Sequence, residues 1–354
     1  MSFFLRYFLI LITVTVFTID ATAAAKQSSS KSTKKTTAVK SQGRGVPNLA
    51  KAPYASAIVV DVSTGNVLFE DKADSPAFPA SVVKLMDLLI IQEKIEQGSL
   101  KLTDMVKATA EATRMGGSGV YLKEHEEFSV EEMLFALMIK SANDAALALA
   151  IHVAGSRDAF VQLMNEKAVA LGMTSTKFVT PHGLPPSRGQ SPDVTSARDI
   201  SLLCLELVKH PDVFKYTSSP LRYFRDNKLE MRTHNNLLGK FQGCDGFKTG
   251  WWREAGYSLA ATAMRDNRRV IAVVMGSTSK ELRDSKANEL LSSAFMNLPP
   301  LPPPPPVKHV VLEEIQPPFW SPAKIVVLSL IALVLLLAAA RAVMKRFSNI
   351  SKYN

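Results

Sequence analysis

Residues that hold metals or covalent cross-links are scarce in this chain of 354 residues, which contains two cysteines and six histidines. Cys204 lies in an apolar run with helical spacing, as a core residue would, so we expect a disulfide with Cys244 only if the two meet in space. The histidines weighed as ligands lack the close spacing of a metal site: His152, His182, His210 and His234. The sequence therefore implies no metal and no cofactor.

Acidic residues are nearly absent from both ends of the chain. It has 42 Lys/Arg and 32 Asp/Glu, but fourteen of the basic and only three of the acidic residues lie outside residues 61–300, which leaves that central part with a net charge of −1. Residues 21–60 hold seven basic residues and no acidic one, in Ser/Thr/Ala-rich sequence that cannot bury a core. We predict a disordered basic leader over residues 24–49. The neutral central part argues against nucleic acid as a partner.

The N-terminus carries a short apolar run. Arg6 precedes the run over residues 7–17, and the small residues 21–23 follow it. This order predicts a secretory signal peptide over residues 1–23. The alternative is an uncleaved anchor, for which the run is short. Export would place the mature chain outside the cytoplasm.

A longer apolar run lies near the C-terminus. Residues 325–340 are apolar except for one serine, and residues 342–344 extend the run. The alternative of a buried core helix is disfavoured because proline-rich sequence isolates the run, so we predict a transmembrane helix over residues 323–344. Basic residues follow it, which places the tail 345–354 in the cytoplasm. We expect a single-pass anchor in a bacterial inner membrane, with the rest of the chain on the outer (periplasmic) side.

The central part has the pattern of one mixed α/β (α+β) domain over residues 50–297, followed by a proline-rich linker over residues 298–322. Two strand pairs are predicted by alternation and turn residues, over residues 55–62 with 66–70 and 256–264 with 269–275. Helical spacing of apolar residues occurs between them, over residues 85–95, 130–153, 159–171 and 197–208. Strands at both ends and helices between them predict one sheet with helices on its faces.

Three short motifs carry the chemistry. In the first, Ser81 and Lys84 are three residues apart, which places both side chains on one face of a helix. A serine hydroxyl needs a neighbouring base, and a lysine amine can serve if burial or a second cation lowers its pKa. The alternative for this motif alone is a capping serine with a surface lysine.

In the second motif, Ser141 and Asn143 can point into one cleft from a turn between helices, where the hydroxyl relays a proton and the amide holds substrate. The alternative is a polar corner between helices. In the third, Lys248, Thr249 and Gly250 belong to a predicted edge strand that can pair with an extended peptide. The lysine and threonine would grip a terminal carboxylate, and the glycine would allow close approach. Together, in this order, the three motifs form a specific signature.

With these motifs, the sequence resembles the D-alanyl-D-alanine carboxypeptidases, which are low-molecular-mass penicillin-binding proteins. The resemblance covers about residues 50–295 and includes further blocks, among them His182-Gly183-Leu184 and Glu254-Ala255-Gly256-Tyr257. It implies a five-stranded antiparallel sheet sandwiched by helices, the β-lactamase/DD-peptidase transpeptidase-like fold. It also implies peptidoglycan stem peptides as substrates and β-lactams as covalent inhibitors.

The resemblance also implies a role for each motif residue. Ser81 would attack the penultimate D-Ala carbonyl, Lys84 would take its proton, and the backbone N–H groups of Ser81 and Trp251 would form the oxyanion hole. Ser141 would pass the proton to the departing D-Ala, and Asn143 would hold Lys84 and the substrate amide. The substrate carboxylate would bind Lys248 and Thr249.

Three departures from the family pattern are visible. Val82-Val83 stands where Leu-Thr is frequent, a change expected to affect only packing. Trp251-Trp252 follows the glycine, which leaves the wall of the leaving-group site open to question. The proline linker and spanning helix stand where many relatives have a β-rich second domain and an amphipathic anchor.

Three rival functions share parts of this pattern. A class A β-lactamase needs a Glu in E-x-x-L-N between the second and third motifs, and neither Glu166 nor Glu206 fits. A DD-endopeptidase that cuts cross-links uses the same motifs. A non-catalytic wall-binding protein is disfavoured because all of the motif residues are present.

Overall fold

The fold is taken from a computed structural model that describes residues 46–298 and 321–350. The predicted signal peptide, most of the basic leader and most of the proline-rich linker lie outside the described residues. Residues 46–49 belong to the predicted leader but pack on the body, since the Leu49 N–H donates to the backbone oxygen of Glu254 at 2.8 Å. Within the described residues, these residues thus pack with the body that the sequence predicts from residue 50 onward.

The described strands are β1 Ser56–Asp61, β2 Val67–Asp71, β3 Met105–Lys107, β4 Glu127–Ser129, β5 Leu221–Phe224, β6 Leu229–Arg232, β7 Cys244–Trp252, β8 Gly256–Arg265 and β9 Arg268–Ser277. The described α-helices are α1 Lys84–Glu96, α2 Ala110–Thr113, α3 Val130–Phe135, α4 Asn143–Ala154, α5 Arg157–Ala170, α6 Ala197–Leu207, α7 Phe214–Thr217, α8 Lys280–Asn297 and α9 Pro322–Ile350. Short 3₁₀ turns cover Ala80–Val83 and Pro211–Val213, and a π turn covers Ala136–Lys140.

The central sheet is antiparallel with the order β2-β1-β9-β8-β7, and β3–β4 and β5–β6 form two small separate ladders. Both predicted hairpins are confirmed. The turn between β8 and β9 consists of Asp266 and Asn267, both in the left-handed region with φ of 47° and 58°. Two such residues form the tight turn that matches the twist of a hairpin. Because β1 and β9 pair, strands from opposite ends of the domain share one sheet, as the sequence predicts.

Both faces of the sheet are covered, since every residue of β1 is buried. On one face, Ile58 of β1 belongs to the same apolar cluster as Leu88 of α1 and Ile200 of α6. On the opposite face, α8 contributes a buried stripe: Ala287, Leu290, Leu291 and Ala294. The five-stranded sheet between helical layers is therefore confirmed.

The helical run predicted over residues 130–153 is interrupted in the structure. A π turn follows α3, Ser141 then adopts a left-handed conformation with φ of 59°, and α4 begins at Asn143. Ser129 and Ser156 cap α3 and α5 by accepting hydrogen bonds from backbone N–H groups, as the sequence indicates. The interruption separates Ser141 from both helices and turns it towards the cleft described below.

Two glycines allow other segments to approach the turn before α1. A Cβ on Gly183 would lie 2.0 Å from the backbone oxygen of Ala80, and one on Gly250 would lie 2.4 Å from that of Pro79. Neither distance is compatible with a side chain. The turn that carries Ser81 is therefore held between β7 and the loop containing Gly183.

The C-terminal segment forms a unit of its own from Asn297 onward. Within α9, Pro322–Lys345 is the one stretch of the described residues that is helical, long and apolar enough to cross a membrane, with 24 residues. Its apolar side chains are exposed within this unit. In the body, Cys204 is buried in the core and Cys244 is half-buried, and neither forms a disulfide within the described part of the chain.

We predict that Gly183→Ala destabilises the protein much more than Gly172→Ala. Both glycines have φ near +73°, so both substitutions carry the strain of a left-handed Ala, about 1 kcal/mol. Only Gly183 has backbone atoms in the way, because nothing lies within 4 Å of a Cβ at Gly172. The free energy of unfolding, measured with denaturant on the full chain, should fall by several kcal/mol more for Gly183→Ala. Equal losses would show that the contact with Ala80 has no steric consequence.

Candidate active site

The first motif lies where the 3₁₀ turn passes into α1. Ala80 has φ of 47°, a strained value for a residue with a side chain, and it directs the chain into the turn. In a 3₁₀ turn, side chains three residues apart lie above one another. Ser81 Oγ and Lys84 Nζ are accordingly 3.1 Å apart. The structure thus brings Ser81 and Lys84 together, as the sequence spacing predicts.

Lys84 is fully buried, and its amine has three neighbours at hydrogen-bond distance. Besides Ser81 Oγ, Nζ donates to Asn143 Oδ1 at 2.8 Å and to the backbone oxygen of His182 at 2.7 Å. The last two oxygens can only accept, whereas the serine hydroxyl can donate. A neutral amine, with two N–H groups and a lone pair, satisfies all three contacts if Ser81 donates to it. In this arrangement the amine is placed to take the serine proton.

A lysine amine that takes a proton near neutral pH needs a lowered pKa, and burial lowers it here. Desolvation lowers the pKa of Lys84 to about 8, against opposing effects of Asp87, Asp193 and Asp144. Of the two causes that the sequence suggests for such a shift, burial and a second cation, burial is the main one. Repulsion between the two lysines instead contributes to the pKa of Lys248, which burial first of all holds well below its usual range.

Asp87 lies one helical turn after Lys84 and is 1% exposed. Neither of its carboxyl oxygens has a hydrogen-bond partner within the described residues. Burial raises the pKa of this carboxyl well above its usual range, while the charge of Lys84 opposes the shift. An ionised carboxylate without partners is costly in such a place, which is the physical reason for the raised pKa.

The second motif forms another wall of the site. Asn143 is 3% exposed, and its Nδ2 donates to the backbone oxygen of Gly116 at 2.8 Å while its Oδ1 accepts from Lys84. Ser141 is equally buried and lines the same cleft as Ser81. Asp144 follows and accepts from the backbone N–H groups of Val120 and Leu122, which fixes the loop opposite.

The third motif lies on β7, the edge strand of the sheet next to the Ser81 turn. Lys248 is 3% exposed and Thr249 lines the cleft beside Gly250. The sequence predicts a strand beginning at Lys248, but β7 begins four residues earlier at Cys244 because it pairs with β8 along most of its length. The motif is thus in the middle of a ladder, where its backbone is held on one side only.

The two tryptophans after the glycine have different environments. Trp252 is 7% exposed and stacks on Phe78 with ring centroids 5.1 Å apart, so it belongs to the packing beneath the Ser81 turn. Trp251 is 56% exposed and lines the cleft. Val82 and Val83 are both fully buried, in agreement with a packing role.

The cleft also contains residues that the sequence analysis did not single out as site residues: Ser118, Thr233, His234, Asn236, Tyr257, Lys280 and Arg283. Arg283 is 3% exposed and pairs with the neighbouring Asp284. In the sequence, Arg283 is an ordinary charged residue. Nothing in its neighbours indicates that tertiary structure brings it to the cleft. For Ser118, the signal was the surrounding Gly116-Gly117-Ser118-Gly119, a stretch in which backbone can approach a site closely.

One group of metal-ligand side chains lies in the described part of the chain, at Glu93, Glu206 and His210, within 4.8 Å of one another. Each has a partner: Glu93 binds Lys167, Glu206 binds Lys209, and His210 binds Glu96. The histidine spacing in the sequence did not indicate this proximity. The contacts form an ion-pair network between helices, and none of these residues lines the cleft.

A serine beside a buried lysine amine, with a second hydroxyl, an amide and basic side chains in one cleft, is an arrangement typical of serine acyl-transfer enzymes. The model of the D-alanyl-D-alanine carboxypeptidase family, peptidase S11, matches residues 46–279. The chain belongs to this family.

Relatives and solved structures agree with this assignment. The chain is 37% identical over 243 residues to D-alanyl-D-alanine carboxypeptidase DacF of Bacillus subtilis, which covers 68% of this chain and 61% of the relative. It is 36% identical to DacC of Escherichia coli, covering 67% of this chain and 60% of the relative. The chain thus spans about 60% of the length of these curated relatives.

Among solved structures, penicillin-binding protein D2 of Listeria monocytogenes in its ampicillin-bound form is similar with a TM-score of 0.63 and 32% identity, over 69% of this chain and 98% of that one. Penicillin-binding protein 6B of Escherichia coli is similar with a TM-score of 0.65 and 31% identity, over 71% and 79%. The similarity extends over the body that carries the cleft.

We predict that Asp87→Asn makes the protein more stable than wild type at pH 8 and changes stability little at pH 4. An Asp that keeps its proton in the folded state but loses it near pH 4 on unfolding destabilises the fold progressively as pH rises. Asn removes this dependence with almost the same shape. The difference in melting temperature between variant and wild type should therefore grow between pH 4 and pH 8.

Asp74→Asn provides the control with the opposite sign. Hydrogen bonds from Arg198 lower the pKa of Asp74, so its contribution is present above the unfolded pKa and is lost as pH falls. This variant should be the less stable one at pH 8, with the difference disappearing in acid. If Asp87→Asn behaves in the same way as Asp74→Asn, then Asp87 is ionised in the folded protein.

Proposed function

We propose that this protein is a serine D-alanyl-D-alanine carboxypeptidase that removes the terminal D-alanine from peptidoglycan pentapeptide stems through an acyl-enzyme on Ser81. The observation that carries the proposal is the set of contacts of Lys84 Nζ, in which Ser81 is the one neighbour able to donate a proton. Family membership supports the same reaction. The roles below are assigned on that basis.

In acylation, Ser81 Oγ attacks the carbonyl carbon of the penultimate D-alanine, and its proton passes to Lys84. Negative charge develops on the carbonyl oxygen, and the backbone N–H groups of Ser81 and Trp251 stabilise it. The close approach of Gly250 to the Ser81 turn supports this assignment, because it brings the backbone of β7 beside the backbone of that turn. Asn143 holds Lys84 in place throughout and binds the substrate amide.

The carbon–nitrogen bond of the terminal residue then breaks. Ser141 relays a proton from Lys84 to the departing amine, so that D-alanine leaves as a neutral amine or its ammonium form. Water attacks the resulting ester, gives a proton to Lys84, and releases the shortened stem with the Ser81 hydroxyl restored. No metal or cofactor is assigned to any step.

The terminal carboxylate of the substrate binds to Lys248 and Thr249, with Arg283 as a further cation in the same cleft. Burial and the two neighbouring cations hold the pKa of Lys248 well below its usual range in the free protein. An arriving carboxylate would favour the charged ammonium again, so binding and protonation of Lys248 are linked. This arrangement selects substrates that end in a free carboxylate.

The proposal also includes the position of the protein in the cell. The signal peptide over residues 1–23, the linker over residues 298–322 and the apolar helix Pro322–Lys345 support a body tethered to the outer face of the bacterial inner membrane, with the tail 345–354 inside. β-Lactams are expected to acylate Ser81 because they imitate the terminal dipeptide. The ampicillin complex of the Listeria relative supports this expectation.

Of the rivals, a β-lactamase receives no support from the cleft. Glu166 lies on α5 and lines a different groove, and Glu206 lies on α6 and pairs with Lys209. Neither carboxylate lines the cleft with Ser81, and no other glutamate of the described residues lines it to serve as a base for rapid hydrolysis of a penicilloyl ester. Acylation by penicillin should be persistent.

We predict that full-length protein in detergent releases D-alanine from a pentapeptide ending in D-Ala-D-Ala, and that Ser81→Ala lowers the rate by at least about a thousandfold, since removal of a nucleophile abolishes the covalent route. Release by wild type is measured as free D-alanine. Absence of release, or undiminished release by Ser81→Ala, would refute the proposal. Cross-linked muropeptides in a parallel reaction test the endopeptidase alternative, and rapid turnover of a chromogenic cephalosporin would indicate a β-lactamase.

We also predict that the rate of Ser81 acylation rises with pH up to about 8. The base is the free amine, and with a pKa of about 8 roughly a tenth of Lys84 is in that form at pH 7. The second-order rate of labelling by a fluorescent penicillin should fall about tenfold per pH unit well below 8 and level off above it. Lys84→Arg, which keeps a permanent charge, should be inactive at every pH. A rate that is constant from pH 6 to pH 9 contradicts the role of Lys84.

A further inference from the structure

The cleft contains a histidine that the proposed chemistry does not use. Three basic side chains line the cleft, His234, Lys280 and Arg283, and no acidic side chain of the described residues does so. Lys280 and Arg283 each pair with the acidic residue that follows in sequence. The ring of His234 forms no hydrogen bond or ion pair within the described residues. It is therefore available to a ligand.

Other histidine rings of the body are held by the fold. His182 Nδ1 accepts a hydrogen bond from the N–H of Leu184 at 3.1 Å, and His210 Nδ1 lies 2.9 Å from the carboxylate of Glu96. His234 is exposed and has no such contact in the part of the chain that the structure describes. Packing of the ring therefore does not explain its position in the cleft.

The segment that carries His234 is nevertheless fixed in place. Asn235 Nδ2 donates to the backbone oxygen of Gly246 on β7 at 3.2 Å, and Asn236 Nδ2 donates to the carboxylate of Asp284 on α8 at 2.8 Å. These bonds join the segment to the two elements that supply the basic residues assigned above to the terminal carboxylate. The ring is thus held beside the place where that carboxylate binds.

Basic groups of three elements act on the ring. Loss of hydration lowers the pKa of His234 to about 4, and the charges of Lys248 on β7, Lys140 in the π turn and Arg283 on α8 contribute to the shift. The imidazole is therefore neutral near pH 7 in the free protein. An anion placed among these groups relieves their repulsion and favours the charged imidazolium.

The terminal carboxylate of the substrate is such an anion, and this step rests on the proposed function. There the carboxylate binds Lys248 and Thr249, with Arg283 in the same cleft. We propose that His234 is a further ligand of this carboxylate and takes up a proton from solvent when the carboxylate binds. Both ring nitrogens of the charged imidazolium are donors, so the ring can donate a charge-assisted hydrogen bond to the carboxylate.

Proton uptake makes binding depend on pH with a defined sign. The pKa of His234 is low in the free protein and is raised by the carboxylate, so affinity increases as pH falls between the two values. An opposite charge nearby raises a pKa by about one to three, and a rise of about two makes binding roughly tenfold tighter at pH 5 than at pH 7. Acylation has the opposite dependence, because Lys84 must be a free amine. Tighter binding in acid thus partly offsets the loss of the base.

The test is an NMR titration of the full-length Ser81→Ala protein in detergent, with histidine labelled at Cε1 and Nα-acetyl-L-Lys-D-Ala-D-Ala as the ligand. Ser81→Ala prevents turnover, and the His234 signal is assigned by its loss in His234→Gln or His234→Asn. Saturating peptide should move the midpoint of the His234 titration to higher pH by about one to three. The same peptide with a C-terminal amide should leave the midpoint unchanged. The dissociation constant of the acid peptide should be roughly tenfold lower at pH 5 than at pH 7.

His234→Gln keeps a hydrogen-bonding side chain that cannot titrate, and it should lose most of this pH dependence. His125→Gln changes an exposed histidine that does not line the cleft and should keep it. An unchanged midpoint of His234 in the peptide complex, or equal pH dependence of the dissociation constant in His234→Gln and its parent, would overturn the proposal. Failure of the peptide to bind at any pH would instead count against the proposed function, and with it against this role of His234.

Discussion

The amine of Lys84 connects three parts of the chain that are far apart in sequence. Its partners are Ser81 in the 3₁₀ turn, Asn143 at the start of α4 and the backbone of His182 in the loop after α5. The protonation state of one atom decides whether the serine hydroxyl donates to the amine or accepts from the ammonium. The surrounding packing matters chemically because it keeps these three segments within hydrogen-bond distance of one nitrogen.

Burial lowers the pKa of that nitrogen, which leaves more of it as free amine near neutral pH, and it also makes the site costly to fold. Lys84, Lys248 and Arg283 are buried basic groups, and Asp87 is a buried carboxyl without a hydrogen-bond partner within the described residues. Each of these groups loses hydration that its neighbours replace incompletely. The left-handed conformations of Ala80 and Ser141 add backbone strain beside the same cleft. The extensive apolar core on both faces of the sheet must outweigh these costs. The cleft accordingly lies where helices pack against the sheet.

Much of this arrangement could be predicted from the sequence, because the relevant signals are local. Alternation and turn residues predict both hairpins, and the spacing of Ser81 and Lys84 predicts their contact. The number of strands came with the family resemblance, and their order was not predicted, since it depends on long-range pairing such as that of β1 with β9. Arg283 and Asp87 could not be assigned in this way. A charged residue in a helical pattern is equally compatible with a solvated surface and with a buried site, and only tertiary packing distinguishes the two.

The edge of the sheet explains why recognition is concentrated on β7. Within the described residues this strand pairs with β8 alone, so its other side presents backbone groups to the cleft. An extended peptide can satisfy these groups as an added strand, which fixes its direction and register before any side chain is read. Because strand geometry sends neighbouring residues to opposite sides, the two rings of Trp251-Trp252 have different environments: Trp252 packs beneath the Ser81 turn, and Trp251 lines the cleft. The packing of the Ser81 turn and the lining of the cleft thus depend on adjacent residues of a single strand.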